Sequence, residues 1–521
     1  MLCKTLLNIH LFAVESEYKL RDRISGYYMF MMSPVDRFPS PEADQTPIRN
    51  VAVIGAGISG VVSAAHLIKE GFGVTVFERT GTIGGVWCYD ERVDVDPPFP
   101  NTIPPAQDWK DLEKEGLTVE EASILHGPPG PCYAGLKNNV PTSLMKSCLL
   151  PWPEGTEEFV DQGLMVQYVQ DIAKVHHVTE NIQFHTRVES VTKPAGDAQW
   201  RVKTSALQVE ADTFSVVRRN ESFDAVVVAS GHYHIPFVAD IPGLSAWKEL
   251  FPGRVFHSKR YRTPEPFRGK TILLVGAGAS ALDIAREVDA LGGTVYQSRR
   301  ESKYDLTASR LPPAVKRVSM VAQFIADLVD VSKPAFDGEG QAAIPGKIVL
   351  EDGTTLENID YVVIATGYIT SYPFLEHLEQ PSVPWGEADE KTLITEDGYT
   401  THNLHKDIFY IPDYTLVFIG VSHLVSTFSL FDFQAKVMAK VLAGYVRLPA
   451  ESVMRTEQRE RKARFQPGDR YHALLLGEQA YIAEVLTWVN ANMTKRGLAP
   501  MKGMDAEWLR AYSIFRANRD P

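Results

Sequence analysis

Two glycine-rich turns hold the residues of this 521-residue chain whose spacing points most directly to chemistry. The first turn follows the apolar run 51–54 and precedes a helix-compatible segment that ends near Glu70. The chain then returns as the apolar run 74–77, with Glu78 at its tip, about twenty residues beyond the glycines. The residues that we assign to this first site are Gly55, Ala56, Gly57, Ile58, Ser59, Gly60 and Glu78.

Each part of this pattern has a physical purpose if the ligand is a dinucleotide. The first glycine permits the tight turn, the second lets the backbone approach a pyrophosphate, and the third lets the helix pack on the strand. The N-terminus of the helix offers N–H groups and a partial positive charge to the phosphates, and Glu78 can accept hydrogen bonds from a ribose diol. Glycine turns alone are common, so the prediction depends on strand, helix and acid occurring in register.

A second turn of the same kind follows the apolar run 271–275, with alanine in place of the third glycine, which the pattern tolerates. At the tip of the next predicted strand, 294–297, stand Ser298 and Arg299 rather than an acid. An acid would repel a 2′-phosphate and an arginine pairs with it, so we predict NADPH rather than NADH. The alternative is a solvated basic turn. The residues that we assign to this second site are Gly276, Gly278, Ser280, Ala281, Ser298 and Arg299.

The elements that must position these turns alternate between strands and helices. The predicted elements are buried strands ending in glycine at 224–231, 360–367 and 416–420, short strands over 182–205, an amphipathic helix at 160–175, helices from 282 to about 290 and from 431 to 448, a short helical patch near 118–125, and a helical tail. Because each glycine turn lies between two apolar strands, the sequence predicts an α/β fold with two dinucleotide-binding (Rossmann-like) domains.

Composition excludes several classes of protein. The net charge of −12 argues against a nucleic-acid partner, because phosphates require a basic surface. Cys3, Cys88, Cys132 and Cys148 form no CxxC pair and no metal-ligand spacing, so we predict neither a disulfide framework nor a metal. The lack of CxxC also argues against disulfide reductases that have two dinucleotide folds. No apolar run reaches the roughly eighteen residues of a membrane span, so we predict no transmembrane anchor and a cytoplasmic protein, with membrane-surface association left open.

Four further motifs narrow the family. They are Gly-Gly-Val-Trp at 84–87, Tyr-Ala-Gly-Leu-Lys-Asn-Asn-Val-Pro at 133–141, the spaced residues Phe251, Gly253, His257 and Tyr261, and Ala-Thr-Gly at 365–367. On these motifs the chain resembles the flavin-containing monooxygenases, which are class B flavoprotein monooxygenases, from about Arg49 to Pro449.

The resemblance implies FAD at the first turn, with the loop after the second strand passing along this cofactor. It places Asn139 where the family's asparagine contacts both flavin and nicotinamide, and we assign Asn139 as the catalytic residue. A carboxamide suits this place because it donates and accepts without charge. The motif from Phe251 to Tyr261 is expected to set the hinge between domains, without proton transfer by His257. The further cofactor-binding residues implied are Gly85, Val86, Trp87, Asn138, which replaces the usual threonine or serine, Asn139 and Val140.

The resemblance also implies that an NADPH-binding domain is inserted in the FAD-binding domain. The predicted parts are a leader at 1–46 that is disordered or mis-assigned, the first part of the FAD domain at 47–235, the NADPH domain at 236–368, and the second part of the FAD domain with C-terminal helices at 369–521. The proline-rich excursion 88–131 is either part of a substrate entrance or a structureless insertion.

The implied reaction consumes NADPH and O2. In this family NADPH reduces FAD, and oxygen adds at the flavin C4a to give a hydroperoxide that oxygenates a nitrogen or sulfur of a small organic molecule, as N,N-dimethylaniline monooxygenases do. A rival is a Baeyer–Villiger monooxygenase acting on a ketone, whose fingerprint usually has tryptophan where this chain has Tyr261. A rival of another class is a catalytically idle dinucleotide-binding redox sensor, although every cofactor-facing motif is present. The sequence names no substrate and leaves a homodimer open.

Overall fold

The computed structural model describes residues 47–104, 111–300, 309–327, 343–466, 468–475 and 477–518. The expectation for the leader at 1–46 lies outside these ranges. Within them, no helix combines the length and the apolar character that a membrane crossing requires.

The α-helices of the described residues lie where the sequence predicts helices, apart from their ends and from the helix Leu244–Leu250, which was not predicted. They are α1 (Ile58–Lys69), α2 (Val119–His126), α3 (Gln162–Val175), α4 (Leu244–Leu250), α5 (Ala279–Ala290), α6 (Thr427–Leu442), α7 (Glu451–Lys462), α8 (Glu478–Lys495) and α9 (Ala506–Ala517). The helix α6 stops before the predicted residue 448 because Gly444, with φ of +75°, adopts the left-handed conformation that terminates helices.

The strands belong to five sheets. In chain order they are β1 (Asn50–Ile54), β2 (Gly73–Phe77), β3 (Ile182–Gln183), β4 (Thr186–Thr192), β5 (Trp200–Glu210), β6 (Thr213–Phe223), β7 (Ala225–Val228), β8 (Ile235–Pro236), β9 (Val255–His257), β10 (Thr271–Val275), β11 (Thr294–Ser298), β12 (Lys316–Val318), β13 (Val321–Ala326), β14 (Gly346–Leu350), β15 (Thr355–Leu356), β16 (Tyr361–Ile364), β17 (Tyr368–Ile369), β18 (Leu404–His405), β19 (Phe409–Tyr410) and β20 (Leu416–Phe418).

The largest sheet contains the first glycine turn. Its strand order is β18-β19-β20-β7-β1-β2-β3, and the strands from β20 to β3 are parallel. The central strands β1, apart from its exposed first residue Asn50, and β7 are apolar and buried on both faces, as is usual when helices cover both sides of a parallel sheet. Such a sheet brings the carboxyl ends of β1, β2 and β7 to one edge, where the turn lies.

The second sheet contains the second glycine turn. Its order is β12-β11-β10-β16-β9, and all four pairings are parallel. The central strand β10 is buried except at its first residue. The chain therefore contains two doubly wound sheets, which confirms the predicted α/β class with two Rossmann-like folds.

The chain passes between the two sheets at two neighbouring places. Strand β8 carries it out of the first sheet region and β17 carries it back, and these two short strands pair in an antiparallel manner, Ile235 with Ile369 and Pro236 with Tyr368. The predicted boundaries at 235/236 and 368/369 fall within this pairing. We keep these boundaries as a proposal for the inserted domain.

A long hairpin was missing from the predicted elements. Strands β5 and β6 pair over eleven residues each, from Trp200 with Phe223 to Glu210 with Thr213. The β6 segment is polar and largely exposed, so it lacks the apolar alternation by which a strand is recognised. Its pairing with β5, and not its own pattern, makes it a strand.

A polar cluster that is buried except at Cys148 joins helices α1 and α6. Nε2 of His66 and Oδ1 of Asp432 are 2.8 Å apart, and the backbone N–H of Cys148 donates to Oδ2 of Asp432 at 2.8 Å. The ligand-type atoms of these three side chains lie within 4.8 Å of one another, the only such group found among the described residues. Hydrogen bonds within the cluster already engage its imidazole and carboxylate, and we assign it a structural role.

Candidate functional site: the two glycine turns and the segment between them

The first glycine turn is held by close backbone contacts. Gly55 has φ of +102°, and a Cβ there would lie 2.7 Å from the carbonyl oxygen of Ala229, just after β7. A Cβ on Gly60 would lie 1.8 Å from the carbonyl oxygen of Gly55. Both positions therefore require glycine for steric reasons, as the sequence pattern predicts for the first and third glycines.

The helix that follows this turn is not capped by a side chain. Gly57 is the N-cap of α1, no side chain bonds the first N–H groups, and the first turn contains no acid. These N–H groups have no partner within the helix, and a phosphate is the ligand that suits their partial positive charge.

The loop after β2 closes over this helix start. Gly85 has φ of +60°, and a Cβ on it would lie 2.9 Å from Cα of Gly57, so the two backbones touch. The loop continues as a short 3-10 helix, Gly85–Trp87, in which the Val86 side chain is 38% exposed. The Trp87 ring packs edge-on against Phe428, with centroids 6.3 Å apart. The predicted residues of this loop thus lie beside the first turn.

Glu78 lies at the tip of β2, buried, and its carboxylate has three donors. Oε2 accepts from the N–H of Ala56 at 2.8 Å, while Oε1 accepts from the N–H and the hydroxyl of Thr80, each at 2.8 Å. A carboxylate has about four acceptor positions, so about one remains on Oε2 for a ribose hydroxyl. The acid therefore also fixes the glycine turn to β2, a role that the sequence did not predict.

The second glycine turn repeats the backbone of the first. Gly276 has φ of +129°, and a Cβ there would lie 2.2 Å from the carbonyl oxygen of Ala365, just after β16. Helix α5 again starts at an N-cap glycine, Gly278, without a capping side chain and without an acid in its first turn. The buried Ala281 takes the place of the third glycine, and Ser280 lies beside it, half-buried.

The two cofactor-binding residues predicted at the tip of β11 have different surroundings. The hydroxyl of Ser298 donates to the carbonyl of Ser319 at 3.0 Å and accepts from the N–H of Val321 at 3.2 Å, so it joins β11 to the following strands. Arg299 is half-buried, and its neighbour Arg300 is exposed. Of Ser298 and Arg299, the arginine has the side chain that is suited to contact a dinucleotide phosphate.

The adjacent asparagines Asn138 and Asn139 differ in their surroundings. The buried amide of Asn138 donates to the carbonyls of Val140 and Glu158, each at 2.8 Å, and accepts from the N–H of Val160 at 2.6 Å. Asn139 is exposed in the bend that follows. The structure thus gives Asn138 an anchoring role, and its exposed neighbour Asn139 remains the predicted catalytic residue.

The fingerprint histidine is buried between elements of the second sheet. Nε2 of His257 donates to the carbonyl of Gly367 at 3.1 Å, and Nδ1 accepts from the N–H of Lys259 at 3.1 Å. Burial lowers the pKa of His257 to about 3, so the imidazole is neutral near pH 7. This geometry ties the end of β9 to the returning linker and supports the hinge role over proton transfer.

The other fingerprint residues pack within the same domain. Phe251 is buried edge-on to Trp247, with centroids 6.1 Å apart. A Cβ on Gly253 would meet no atom within 4 Å, so packing does not require glycine there. The Tyr261 hydroxyl donates to the carboxylate of Glu287 on α5.

The first part of the excursion 88–131 is bound to the fingerprint by charge. Asp94 pairs with Lys259, and Asp96 pairs with Lys248 and, at 2.8 Å, with Arg260. Oδ1 of Asp96 also accepts from the N–H of His257 at 3.2 Å. Residues 88–104 are therefore an ordered strap across the fingerprint, and sequence reasoning missed both aspartates because nothing local marks their distant partners.

The donor set fits the cofactors that the motifs imply. Two uncapped helix starts can take two pyrophosphates, and each has a glycine as its N-cap residue. An acid at the tip of β2 suits a ribose diol, whereas an arginine after β11 suits a 2′-phosphate. A protein with two such folds and a linker between them is of the two-dinucleotide oxidoreductase class.

Comparison with known proteins identifies the family. The model of the flavin-binding monooxygenase-like family matches residues 130–314 and 343–494, and a NAD(P)-binding Rossmann-like domain matches residues 53–103. The flavin-containing monooxygenase ustF2 of Aspergillus flavus is 41% identical over 493 residues, covering 89% of this chain and 97% of that protein. The flavin-containing monooxygenase FMO GS-OX-like 4 of Arabidopsis thaliana is 31% identical over 427 residues, covering 79% and 80%.

Solved structures show the same fold. The S-allyl-L-cysteine S-oxygenase from Allium sativum superposes with a TM-score of 0.64 at 24% identity, over 90% of this chain and 93% of that one. Tmm from Pelagibacter sp. gives a TM-score of 0.62 at 19% identity, over 90% and 91%. The chain belongs to the flavin-binding monooxygenase-like family, and it is an FAD-dependent oxidoreductase with a second fold for NAD(P).

Proposed function

We propose that the protein is an NADPH- and O2-dependent monooxygenase that oxygenates a nitrogen or sulfur atom of a small organic molecule, with the kind of chemistry that N,N-dimethylaniline monooxygenases perform. The observation that carries the proposal is the pairing of two glycine turns with opposite tips, Glu78 after the first and Arg299 after the second. A hydride passes from NADPH to a flavin only if the protein binds both dinucleotides with their reactive rings together.

FAD, when bound, would supply the oxygen chemistry, and residues of this chain would hold it at the first glycine turn. The turn at Gly55 and Gly57, with Gly85 against it, would hold the FAD pyrophosphate, and Glu78 would accept a hydrogen bond from its ribose. Asn139 offers a carboxamide, exposed in the bend, to the flavin and the nicotinamide. No charged catalytic pair is required, because the cofactor performs the difficult step.

The choice of NADPH over NADH rests on Arg299. A guanidinium pairs with a 2′-phosphate through charge-assisted hydrogen bonds, and NADH has only a hydroxyl there. The half-buried position of Arg299 after β11 supports this assignment, because a purely solvated basic turn would leave it exposed.

The choice of a nitrogen or sulfur substrate over a ketone rests on Tyr261. Baeyer–Villiger relatives usually have tryptophan at this position, and here the phenol hydroxyl contacts Glu287 on the NADPH-side helix. The same contact argues for an intact positioning network, which an idle redox sensor would not need.

The test is rapid mixing of the NADPH-reduced protein with oxygen while the flavin spectrum is followed. We expect an oxygenated flavin that persists without substrate and disappears when an amine or a sulfide is added. Decay with ketones alone would instead indicate the Baeyer–Villiger reaction. Immediate return to oxidised flavin with hydrogen peroxide would contradict the proposal, and failure of NADPH to reduce the flavin would favour the redox sensor.

We also propose that the protein works in the cytoplasm and as a homodimer. The first proposal follows from the cofactor supply that the reaction needs, and cell fractionation tests it. Light scattering during size-exclusion chromatography tests the second, and a mass near 58.0 kDa would contradict it.

A further inference from the structure

A hydrogen-bonded pair connects the two cofactor sites through residues that neither glycine turn contains. The hydroxyl of Tyr133 donates to Oδ2 of Asp283 at 2.6 Å. Tyr133 begins the segment 133–141 that holds Asn139, and Asp283 lies in the first half of helix α5. The N-terminus of that same helix is the predicted pyrophosphate site of NADPH.

Two more contacts attach the start of this segment to the NADPH side. The N–H of Ala134 donates to the carbonyl of Arg262 at 2.9 Å. The backbone at Gly135 passes so close to α5 that a Cβ there would lie 2.0 Å from Oε1 of Glu287. The first three residues of the segment are therefore fixed against α5 and the fingerprint.

The far end of the segment is attached to the FAD side instead. The Asn138 amide bonds the backbone of Val140, Glu158 and Val160, and the N–H of Gln162 donates to the carbonyl of Leu136 at 2.9 Å. Asn139 follows directly after the Asn138 anchor, in the bend. Because the segment is short and attached on both sides, a displacement of α5 acts on the stretch that leads to Asn139.

The tyrosine–carboxylate contacts are specific, because carboxylates that are partly removed from water are costly without donors. Asp283 and Glu287 stand one helical turn apart on α5, and each accepts from a buried tyrosine, Tyr133 and Tyr261 respectively. The two tyrosine rings also pack edge-on, with centroids 5.6 Å apart. Together these contacts fix which part of the segment lies against which turn of α5.

We propose that Tyr133 and Asp283 are positioning residues through which a dinucleotide bound at the start of α5 sets the conformation of Asn139. The inference rests on the proposed function, because it takes NADP(H) at α5 and Asn139 at the flavin. Loading the second site would thus prepare the first site before oxygen reacts.

The experiment measures amide hydrogen exchange of the FAD-loaded protein with and without NADP+. In the wild type, NADP+ slows exchange both in α5 and in residues 136–140, the latter by about tenfold, the worth of a hydrogen bond to a charged group. In Tyr133→Phe, α5 is still protected but residues 136–140 change less than about twofold. Asp283→Asn, which keeps an acceptor, behaves as the wild type, and Asp283→Ala behaves as Tyr133→Phe.

Tyr410→Phe is the matched control, because it removes another buried tyrosine hydroxyl, which donates to the carbonyl of Lys391 at 2.7 Å, on a strand separated from β1 by β20 and β7. It should respond to NADP+ as the wild type does. A second readout is the fraction of NADPH electrons released as hydrogen peroxide, which should rise in Tyr133→Phe while the rate of flavin reduction stays within about twofold.

The outcomes separate this inference from the proposed function. Equal protection of residues 136–140 in the wild type and in Tyr133→Phe would overturn the positioning role alone. Protection of α5 without any change at residues 136–140 in the wild type would do the same. No protection of α5 in any variant would overturn the NADP(H) site and the inference together.

Discussion

The two glycine turns share a backbone but differ in how the rest of the protein covers them. In each, the first glycine lies against the carbonyl that follows a neighbouring parallel strand, Ala229 for Gly55 and Ala365 for Gly276. In each, the helix start has an N-cap glycine and no capping side chain. The local pattern is therefore sufficient to build the same anion site twice.

The two turns are covered differently because different residues outside the turns lie against them. Gly57 in the first turn is in backbone contact with Gly85, whereas a Cβ on Gly278 in the second turn would meet none of the described residues within 4 Å. The acid after β2 is buried and bonded to the turn itself, whereas Arg299 after β11 is half-buried. A closed site suits a cofactor that stays bound, and an open site suits one that enters and leaves in each cycle.

The largest expected difference between the two turns is in how a glycine-to-alanine substitution changes the stability of the protein. Gly60→Ala places a Cβ 1.8 Å from a backbone oxygen, so we expect a loss of about 3 kcal/mol in unfolding free energy and loss of bound FAD. Gly278→Ala has space and an allowed conformation, so stability should change by less than about 0.5 kcal/mol while the KM for NADPH rises. Thermal unfolding, FAD absorbance and steady-state kinetics measure these effects, and equal destabilisation by both would refute the comparison.

Substitutions of the two adjacent asparagines should distinguish a structural role from a catalytic one. Asn138→Ala leaves one buried N–H and two carbonyls without their partner, so we expect about 2 kcal/mol of destabilisation. Asn139→Ala should keep FAD and most of the stability but divert NADPH oxidation from product to hydrogen peroxide. Product and peroxide yields per NADPH measure this, and unchanged coupling in Asn139→Ala would remove its catalytic assignment.

The open site should discriminate between nicotinamide cofactors through one arginine. Arg299→Ala should raise the KM for NADPH about tenfold and leave the KM for NADH nearly unchanged, because only NADPH loses a charge-assisted contact. Arg268→Ala is the matched control, since Arg268 is exposed just before β10. Equal effects of Arg299→Ala on both cofactors would eliminate the reason for choosing NADPH.

The smallest expected effect is a pH dependence of the unfolding free energy, and it comes from His257 at the end of β9 in the second sheet. Burial lowers the pKa of His257 to about 3, so only the unfolded chain takes up its proton as the pH falls below about 6.5. The contribution of this residue to stability is complete above that pH and should fall by about 1 kcal/mol between pH 6.5 and 5.5. His257→Gln should remove this part of the pH dependence in chemical unfolding. An unchanged pH slope would mean that the imidazole is charged in the fold.

Predictions from sequence succeeded where the cause is local. The glycine turns, the helix start at Gly57 and the capped helix at Thr118 all depend on residues within one turn of chain. Predictions were wrong or missing where the partner of a residue is distant in the sequence. Nothing near Asp96 indicates Lys248 or Arg260, and nothing in residues 213–223 indicates a strand.

Sequence by itself determined the class of fold, the two dinucleotide turns and the family, because glycine spacing and apolar runs impose backbone geometry wherever they occur. Tertiary structure alone decided which neighbouring residue has which task. Asn138 and Ser298 were assigned to cofactors, but the structure engages their polar atoms with backbone partners from other segments. The physical reason is that a hydrogen-bonding side chain has no fixed role until the fold brings a partner within about 3 Å of it.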